Sequence, residues 1–266
     1  VGGSRRAIAR LAMYLGDYPL TVLHEYRMAP KTLATTLKWI GKVDLDEVRS
    51  HTGTSSTRME LVPTASEVLK RLVTTFRPKE IAVSSYGIRE GLLYEQMPDR
   101  LRQRDPLIEA CRFSEKKDAR MPGFGKSLYA FIRPLVAHEP DARRRLVKAA
   151  CLLHDVTWRA HPDYRHEVCF DNVTRANLGG LTHQERVFLG LALLHRYKNS
   201  REDCRFEETF SILTERDIQR AETIGKAMRF GAMFAVNEPH KVASLNLRPK
   251  RKELHLTIKS EAAGLF

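Results

Sequence analysis

Apolar and polar positions alternate along the chain with two different periods. Ile8, Leu11, Ala12 and Leu15 recur at helical spacing, directly after the Gly2-Gly3-Ser4 stretch, which reads as a loop whose glycines let backbone approach a ligand closely. A short strand is predicted at Leu20-Thr21-Val22-Leu23-His24, followed by helices from about Pro30 and Asp46. His51 to Thr57 is a polar run that reads as a loop. A helix is predicted from Thr64, leading across the breaker Pro78 to a buried strand at Ile81-Ala82-Val83. This alternation fits half of an α/β layer.

The pattern changes at Pro98 to Pro106, a charged segment between prolines without apolar period, and a domain boundary is placed there, giving domains 1–104 and 105–266. Helices dominate beyond it. Asp141 is read as the cap of a helix whose inner stripe is Leu146, Ala149, Ala150, Leu153 and Val156. Thr182-His183-Gln184-Glu185 is a capping box, with Phe188, Leu189, Leu191, Ala192 and Leu193 facing inward. A further helix from about Asp217 carries Ile218, Ala221, Ile224, Ala227 and Met228. Ala243 to Leu247 and Glu253 to Ile258 alternate polar and apolar residues across a turn at Arg248 to Lys252, the pattern of a β-hairpin.

Charge narrows the function. In 266 residues, 45 Lys and Arg stand against 32 Asp and Glu, a formal net charge of +13, which favours an anionic partner. Zinc-finger, RNA-recognition and helix-turn-helix signatures are absent and aromatics are sparse among the charges, so a specific nucleic-acid partner is not expected. No run approaches the roughly 20 apolar residues of a membrane helix, and no signal-peptide pattern opens the chain, so a cytoplasmic location without membrane attachment is the expectation. Cys111, Cys151, Cys169 and Cys204 form no C-x-x-C pair and read as reduced, buried thiols.

Candidate chemistry centres on Ser84-Ser85-Tyr86-Gly87-Ile88-Arg89-Glu90-Gly91-Leu92-Leu93-Tyr94. A buried apolar run breaks there into a small-residue turn; Gly87 can take the positive φ, a helix follows from Glu90, and the helix amides would add partial positive charge to Arg89 at a phosphate. The competing reading pairs Arg89 with Glu90 across a turn. Gly123-Phe124-Gly125-Lys126-Ser127 is not a P-loop, because the first required glycine falls on Arg120 and no strand precedes it. H-E-x-x-H and G-x-S-x-G motifs are missing as well.

The Gly2-Gly3-Ser4 loop, the Tyr18-Pro19-Leu20 turn, Arg58-Met59-Glu60-Leu61-Val62-Pro63 and the run from Ser84 to Gly91 follow one another in the order found in the exopolyphosphatase and guanosine pentaphosphate phosphohydrolase (Ppx/GppA) family, which the chain resembles over essentially its whole length. Cys151-Leu152-Leu153-His154-Asp155-Val156 is similar to the core of the helical HD-type domain of long members. The resemblance implies the second part of an actin-like (ASKHA) phosphatase domain followed by a mostly helical HD-like domain with a small hairpin. It also implies a phosphoanhydride hydrolase that uses Mg²⁺ to shorten inorganic polyphosphate from its ends, or alternatively acts on guanosine pentaphosphate, and that forms a homodimer. The family's catalytic Glu and Asp-Gly-Gly-Gly-Ser loop are not found here, so the chain is read as a C-terminal portion with no catalytic residue of its own, binding the polyanion, or alternatively as a non-catalytic polyphosphate- or alarmone-binding module. On this reading Gly2, Gly3, Ser4, Ser85, Gly87, Arg89 and Glu90 address phosphate, and Arg159, His161 and Arg165 in a polar turn line a polyanion groove.

His154 and Asp155, with His161, His166 and His195 downstream, suggest the metal site of an HD phosphohydrolase. Such a site also wants a histidine on the preceding helix, and only His138, in an apparent loop, lies between Cys111 and His154. The pair is therefore read as degenerate, hydrogen-bonded in the helical core and holding no metal.

Overall fold

The computed structural model describes residues 2–202, 204–235, 237–248, 251 and 253–265. The chain divides into two compact units, Val1–Arg102 and Gln103–Phe266, and Val1, which opens the first, lies outside the described residues.

The first unit is built around α1 (Gly2–Leu15). Ala7, Ile8, Ala9, Leu11, Ala12 and Met13 are all buried, so this helix is enclosed on most sides rather than along one stripe. β1 (Arg27–Met28), α2 (Pro30–Ile40), α3 (Leu45–Thr52), α4 (Ser56–Glu60) and α5 (Val62–Phe76) follow, and all four helices pack on α1. β2 (Ile81–Ala82) pairs antiparallel with β1, Arg27 opposite Ala82 and Met28 opposite Ile81. α6 (Ile88–Gln96) and α7 (Asp99–Arg102) close the unit without burying any residue.

Several expectations for this unit are corrected, among them the buried strand at Ile81-Ala82-Val83, where Ala82 is exposed and Ile81 and Val83 are only partly buried. Gly2, Gly3 and Ser4 are not a loop but the first turn of α1, where the backbone N–H groups have no intrahelical partner and glycine costs least. Leu20 to His24 is irregular, and the strand expected there lies at Arg27–Met28; β2 offers only two residues of edge, and the chain beyond turns away as Arg6 takes the Ser84 and Ser85 carbonyls. The polar run from His51 to Thr57 is two helix ends: Gly53, at φ 58°, stops α3, and Ser55 begins α4. The helix–strand layer is thus represented by one two-residue ladder.

The second unit comprises α8 (Pro106–Asp118), α9 (Phe124–Ile132), α10 (Asp141–Leu153), α11 (Arg165–Arg175), α12 (His183–Tyr197), α13 (Glu207–Phe210), α14 (Glu215–Phe234) and α15 (Pro239–Val242), then the hairpin β3 (Ala243–Arg248) and β4 (Glu253–Ile258). α12 is the axis. It is buried from Arg186 to His195 and packs against α10, α11 and α14. Its capping box forms as the spacing demands, Glu185 N–H donating to Thr182 Oγ1 at 3.2 Å and Thr182 N–H to Glu185 Oε2 at 2.9 Å. The hairpin pairs in register from Ala243–Ile258 to Arg248–Glu253; Pro249, Lys250 and Lys252 of its turn lie outside the described residues. Asp141 is the first helical residue of α10 rather than its cap, paired with Arg144, and Val156 lies beyond the helix end.

Candidate functional site

In the first unit, the turn after β2 is closed on itself. Tyr86 N–H donates to Ser84 Oγ at 3.0 Å, Ser85 N–H to His24 Nδ1 at 3.3 Å, and Gly87 N–H to Glu90 Oε2 at 2.6 Å. Glu90 therefore caps α6, and this hydrogen bond holds its carboxyl below the usual range. Gly87 is extended, at φ −122°, which corrects the expected positive φ. Arg6 donates to both serine carbonyls, at 3.2 and 2.9 Å, and so fastens the turn to α1. Arg89 is exposed. The turn and the start of α1 lie near each other through Arg6, but three successive turn amides already have acceptors.

The second unit concentrates more chemistry. α10 ends at Leu153, so His154 and Asp155 stand in the turn just past it. A close helix crossing sets them. A Cβ at Gly125 would lie 2.6 Å from the Cys151 carbonyl oxygen, so α9 rides directly on the last turn of α10 and brings Phe124 to 5.2 Å from the His154 ring. Buried Glu115 fastens this arrangement by accepting Gly125 N–H at 2.7 Å.

His154 is 5 % exposed and its Nδ1–H donates to the Cys151 carbonyl at 2.9 Å. Burial, reinforced by the nearby Arg196 cation, pushes its pKa down to about 4. It is a neutral histidine at physiological pH. Tyr197 O–H donates to the His154 carbonyl at 2.7 Å, satisfying a group that the end of α10 leaves open. Asp155, 4 % exposed, is gripped by Arg120 from the α8–α9 loop: Nε to Oδ2 at 2.9 Å, Nη2 to Oδ1 at 2.6 Å and the backbone N–H to Oδ2 at 3.3 Å. Burial opposes ionisation, but the Arg120 hydrogen bonds outweigh it and the carboxyl is held below its ordinary range.

Around this centre guanidinium and aromatic groups alternate. Arg120 and Arg159 flank the Trp158 ring at 5.8 and 4.7 Å, and Arg165 and Arg196 flank Tyr197 at 5.6 and 5.0 Å. Trp158 Nε1–H is anchored on the Asp118 carbonyl at 2.9 Å. Arg120, Met121, Phe124, His154, Asp155, Arg196 and Ala232 line a cleft of about 410 Å³. Arg159 and His161 are exposed. Arg165 turns inward instead, its guanidinium spent on the carbonyls of Trp158 at 2.7 Å and Ala160 at 3.1 Å, a correction to its expected place in a groove.

The remaining histidines do not join the pair. His195 is fully buried and bonds Lys198 O through Nδ1 at 3.2 Å, while His166 lies on α11. Among the described residues no three His, Cys, Asp or Glu side chains are grouped as a metal ion requires. All four cysteines are free and buried; burial pushes the Cys111 thiol up to about 12. No described helix is long and apolar enough to cross a membrane. Sequence reasoning missed Arg120, Trp158, Arg196 and Tyr197.

The second unit thus places Arg120 and Arg196 near the Asp155 carboxylate, with Arg159 and Arg165 against the adjoining Trp158 and Tyr197 rings. A family model described as "Exopolyphosphatase, C-terminal" matches residues 119–265, which is more than half the chain and includes Arg120, His154, Asp155 and Arg196; the chain belongs to that family. No curated protein matches it significantly.

Proposed function

We propose that the chain serves an exopolyphosphatase, holding inorganic polyphosphate while terminal phosphoanhydride bonds are cleaved, with the first unit acting as part of the actin-like phosphatase half. The observation that carries this reading is the family match falling on the unit whose turn after α10 carries exposed Arg159 on the Trp158 ring, with Arg120 on the same ring and exposed His161 just beyond the turn. The net charge of +13 supports it, since a linear polyanion that binds such a surface releases its condensed counter-ions into solution. Mg²⁺ belongs to this reading only as the family resemblance implies it; among the described residues no three His, Cys, Asp or Glu side chains are grouped to hold an ion.

A polymer held away from its reacting end stays in place between turnovers, because each new end reaches the site at high effective concentration. Affinity for a long chain should therefore exceed that for tripolyphosphate by ~10², and should fall linearly with salt on a double-logarithmic scale. Titrations of both polymers and of guanosine pentaphosphate at several salt concentrations, with orthophosphate release measured in parallel, test the reading. Equal affinity for short and long chains, or a flat response to salt, refutes it.

A further inference from the structure

Arg196 stands on the last turn of α12, and its charge is not matched. Its Nε is shut off from solvent without a hydrogen-bond acceptor, and none of its nitrogens forms an ion pair among the described residues. Among the described residues its one direct partner is the Tyr197 ring. Asp155 is close enough to act on it electrostatically, but both Asp155 oxygens are already held by Arg120. His154 brings no charge, and Arg229 on α14 adds a further positive field. The charge count over Arg120, Asp155, His154 and Arg196 therefore leaves one positive charge over. Charges drawn from water are paired as a rule, and this partly buried cation, left over at the wall of an open cleft, favours a counter-ion from solution.

We propose that this cleft is a site for one phosphate group, either inorganic phosphate or the terminal phosphoryl group of a chain, with Arg196 as its principal ligand. The guanidinium fork matches a tetrahedral oxyanion in geometry as well as charge. About 410 Å³ is ample room for such a group with some of its water, a single water occupying about 30 Å³. The lining also selects. With Nδ1–H committed to the Cys151 carbonyl, His154 Nε2 is an acceptor, and Asp155 Oδ1, which takes only one of the three Arg120 hydrogen bonds, is a second one. Acceptors favour an oxyanion that still carries a proton, so the site takes phosphate in preference to sulfate, which has no proton to donate at neutral pH. This deepens the polyphosphate reading, on which the identity of the anion rests, whereas the need for a counter-ion follows from the charges alone.

The test is a titration of the full chain with phosphate, sulfate and tripolyphosphate at constant ionic strength and pH 7, followed by calorimetry and by the fluorescence of Trp158, which lies 5.8 Å from the Arg120 guanidinium. Phosphate should bind at least tenfold more tightly than sulfate. Arg196→Gln should weaken phosphate at least tenfold, Arg196→Lys less, and Lys226→Gln, the same loss of charge on exposed α14 surface, less than twofold. Mutual displacement of phosphate and tripolyphosphate assigns the pocket to chain ends as well as to the free ion; tripolyphosphate binding that leaves phosphate in place assigns it to free phosphate. Equal affinity for phosphate and sulfate, or equal losses in Arg196→Gln and Lys226→Gln, overturns the proposal. Long polyphosphate still binding tightly in that case leaves the exopolyphosphatase reading intact while the pocket falls. If Arg196→Gln does not fold, the wild-type ratio of phosphate to sulfate affinity decides alone.

Discussion

Acidification to pH 5 should destabilise the second unit through His154. Its folded pKa of about 4 lies below the ordinary 6.5, because burial disfavours the imidazolium and Arg196 repels it. An unfolded chain takes up a proton as pH falls through 6.5, whereas the folded one does so only near 4, so stability is complete above 6.5 and declines across that interval. The whole interval corresponds to about 3 kcal/mol, and the part from 6.5 to 5 to about 2 kcal/mol. That is roughly 4–8 °C in Tm for a domain of this size. Asp155 does not confuse the reading. Its depressed pKa withdraws stability only below the unfolded carboxyl range, near 3.8. His166 and His195, also lowered by burial, add to the wild-type slope, so the contribution of His154 is read by difference. In His154→Asn the side-chain amide can donate to the Cys151 carbonyl in place of Nδ1 and cannot be protonated. Loss of the ring against Phe124 lowers its stability at every pH, but its slope between pH 6.5 and 5 should be flatter by the stated amount. Urea unfolding at half-unit pH intervals, in a Trp39→Phe background that leaves Trp158 as the reporter, measures both slopes. Parallel profiles would refute the assignment of a buried, neutral His154.

Two glycines should respond in opposite ways to alanine. At Gly225 a Cβ would fall 2.4 Å from the Ala192 carbonyl oxygen and 2.5 Å from His195 Cβ, forcing α14 off α12 and costing about 2–3 kcal/mol, whereas at Gly91 nothing lies within 4 Å and alanine should stabilise α6 by about 1 kcal/mol, both read from urea midpoints. Arg186, 1 % exposed, donates to the carbonyls of Val173, Thr174, Ala176 and Leu178. Arg186→Lys keeps the charge but cannot span four acceptors, and should cost about 3 kcal/mol in the same assay. Arg165→Ala should release the Trp158 and Ala160 carbonyls and speed amide hydrogen exchange across residues 157–164 while α12 keeps its protection; unchanged exchange there would show that the turn does not depend on this staple.

What the sequence discloses depends on how locally each feature is determined. The α12 capping box lies within four residues, and hairpin alternation is read from its own two strands, so both are legible and both form. Composition misleads where it stands in for position. Gly2-Gly3-Ser4 looks like a loop because glycine disfavours helix interiors, but at a first turn that penalty is small, and a Cβ at Gly3 would already touch Arg58 Nε at 3.4 Å. His51 to Thr57 is polar because it holds the end of one helix and the start of the next. The cleft is hidden for a different reason. Asp155 meets Arg120 across 35 positions, and nothing in either neighbourhood announces the pairing. Arg196 does leave a trace, since it follows a run buried from Arg186 to His195 with no break. A cation abutting such a run on a helix is a local signal that its stem is buried and its charge needs a partner.

The contrast between Arg186 and Arg196, ten positions apart on α12, bears most directly on function. Both are drawn from water, and burial costs each the hydration of its charge. Arg186 recovers that loss within the fold, giving its two terminal nitrogens to four carbonyls, so it belongs to the architecture of α11 and α12. Arg196 gives hydrogen bonds to no acceptor among the described residues. Its place in the last turn of α12 offsets part of the cost, because a cation at a helix C-terminus is stabilised by up to about 2 kcal/mol when partly buried, and the Tyr197 face contributes roughly 1 kcal/mol more. Neither term supplies the directed acceptors that a guanidinium takes in a closed structural site. Arg120 has already claimed Asp155, the carboxylate that acts on Arg196 among the described residues, through three donors. The fold therefore stabilises Arg196 enough to keep it in position while leaving its hydrogen-bonding capacity unspent, which separates an arginine that binds a ligand from one that builds a core.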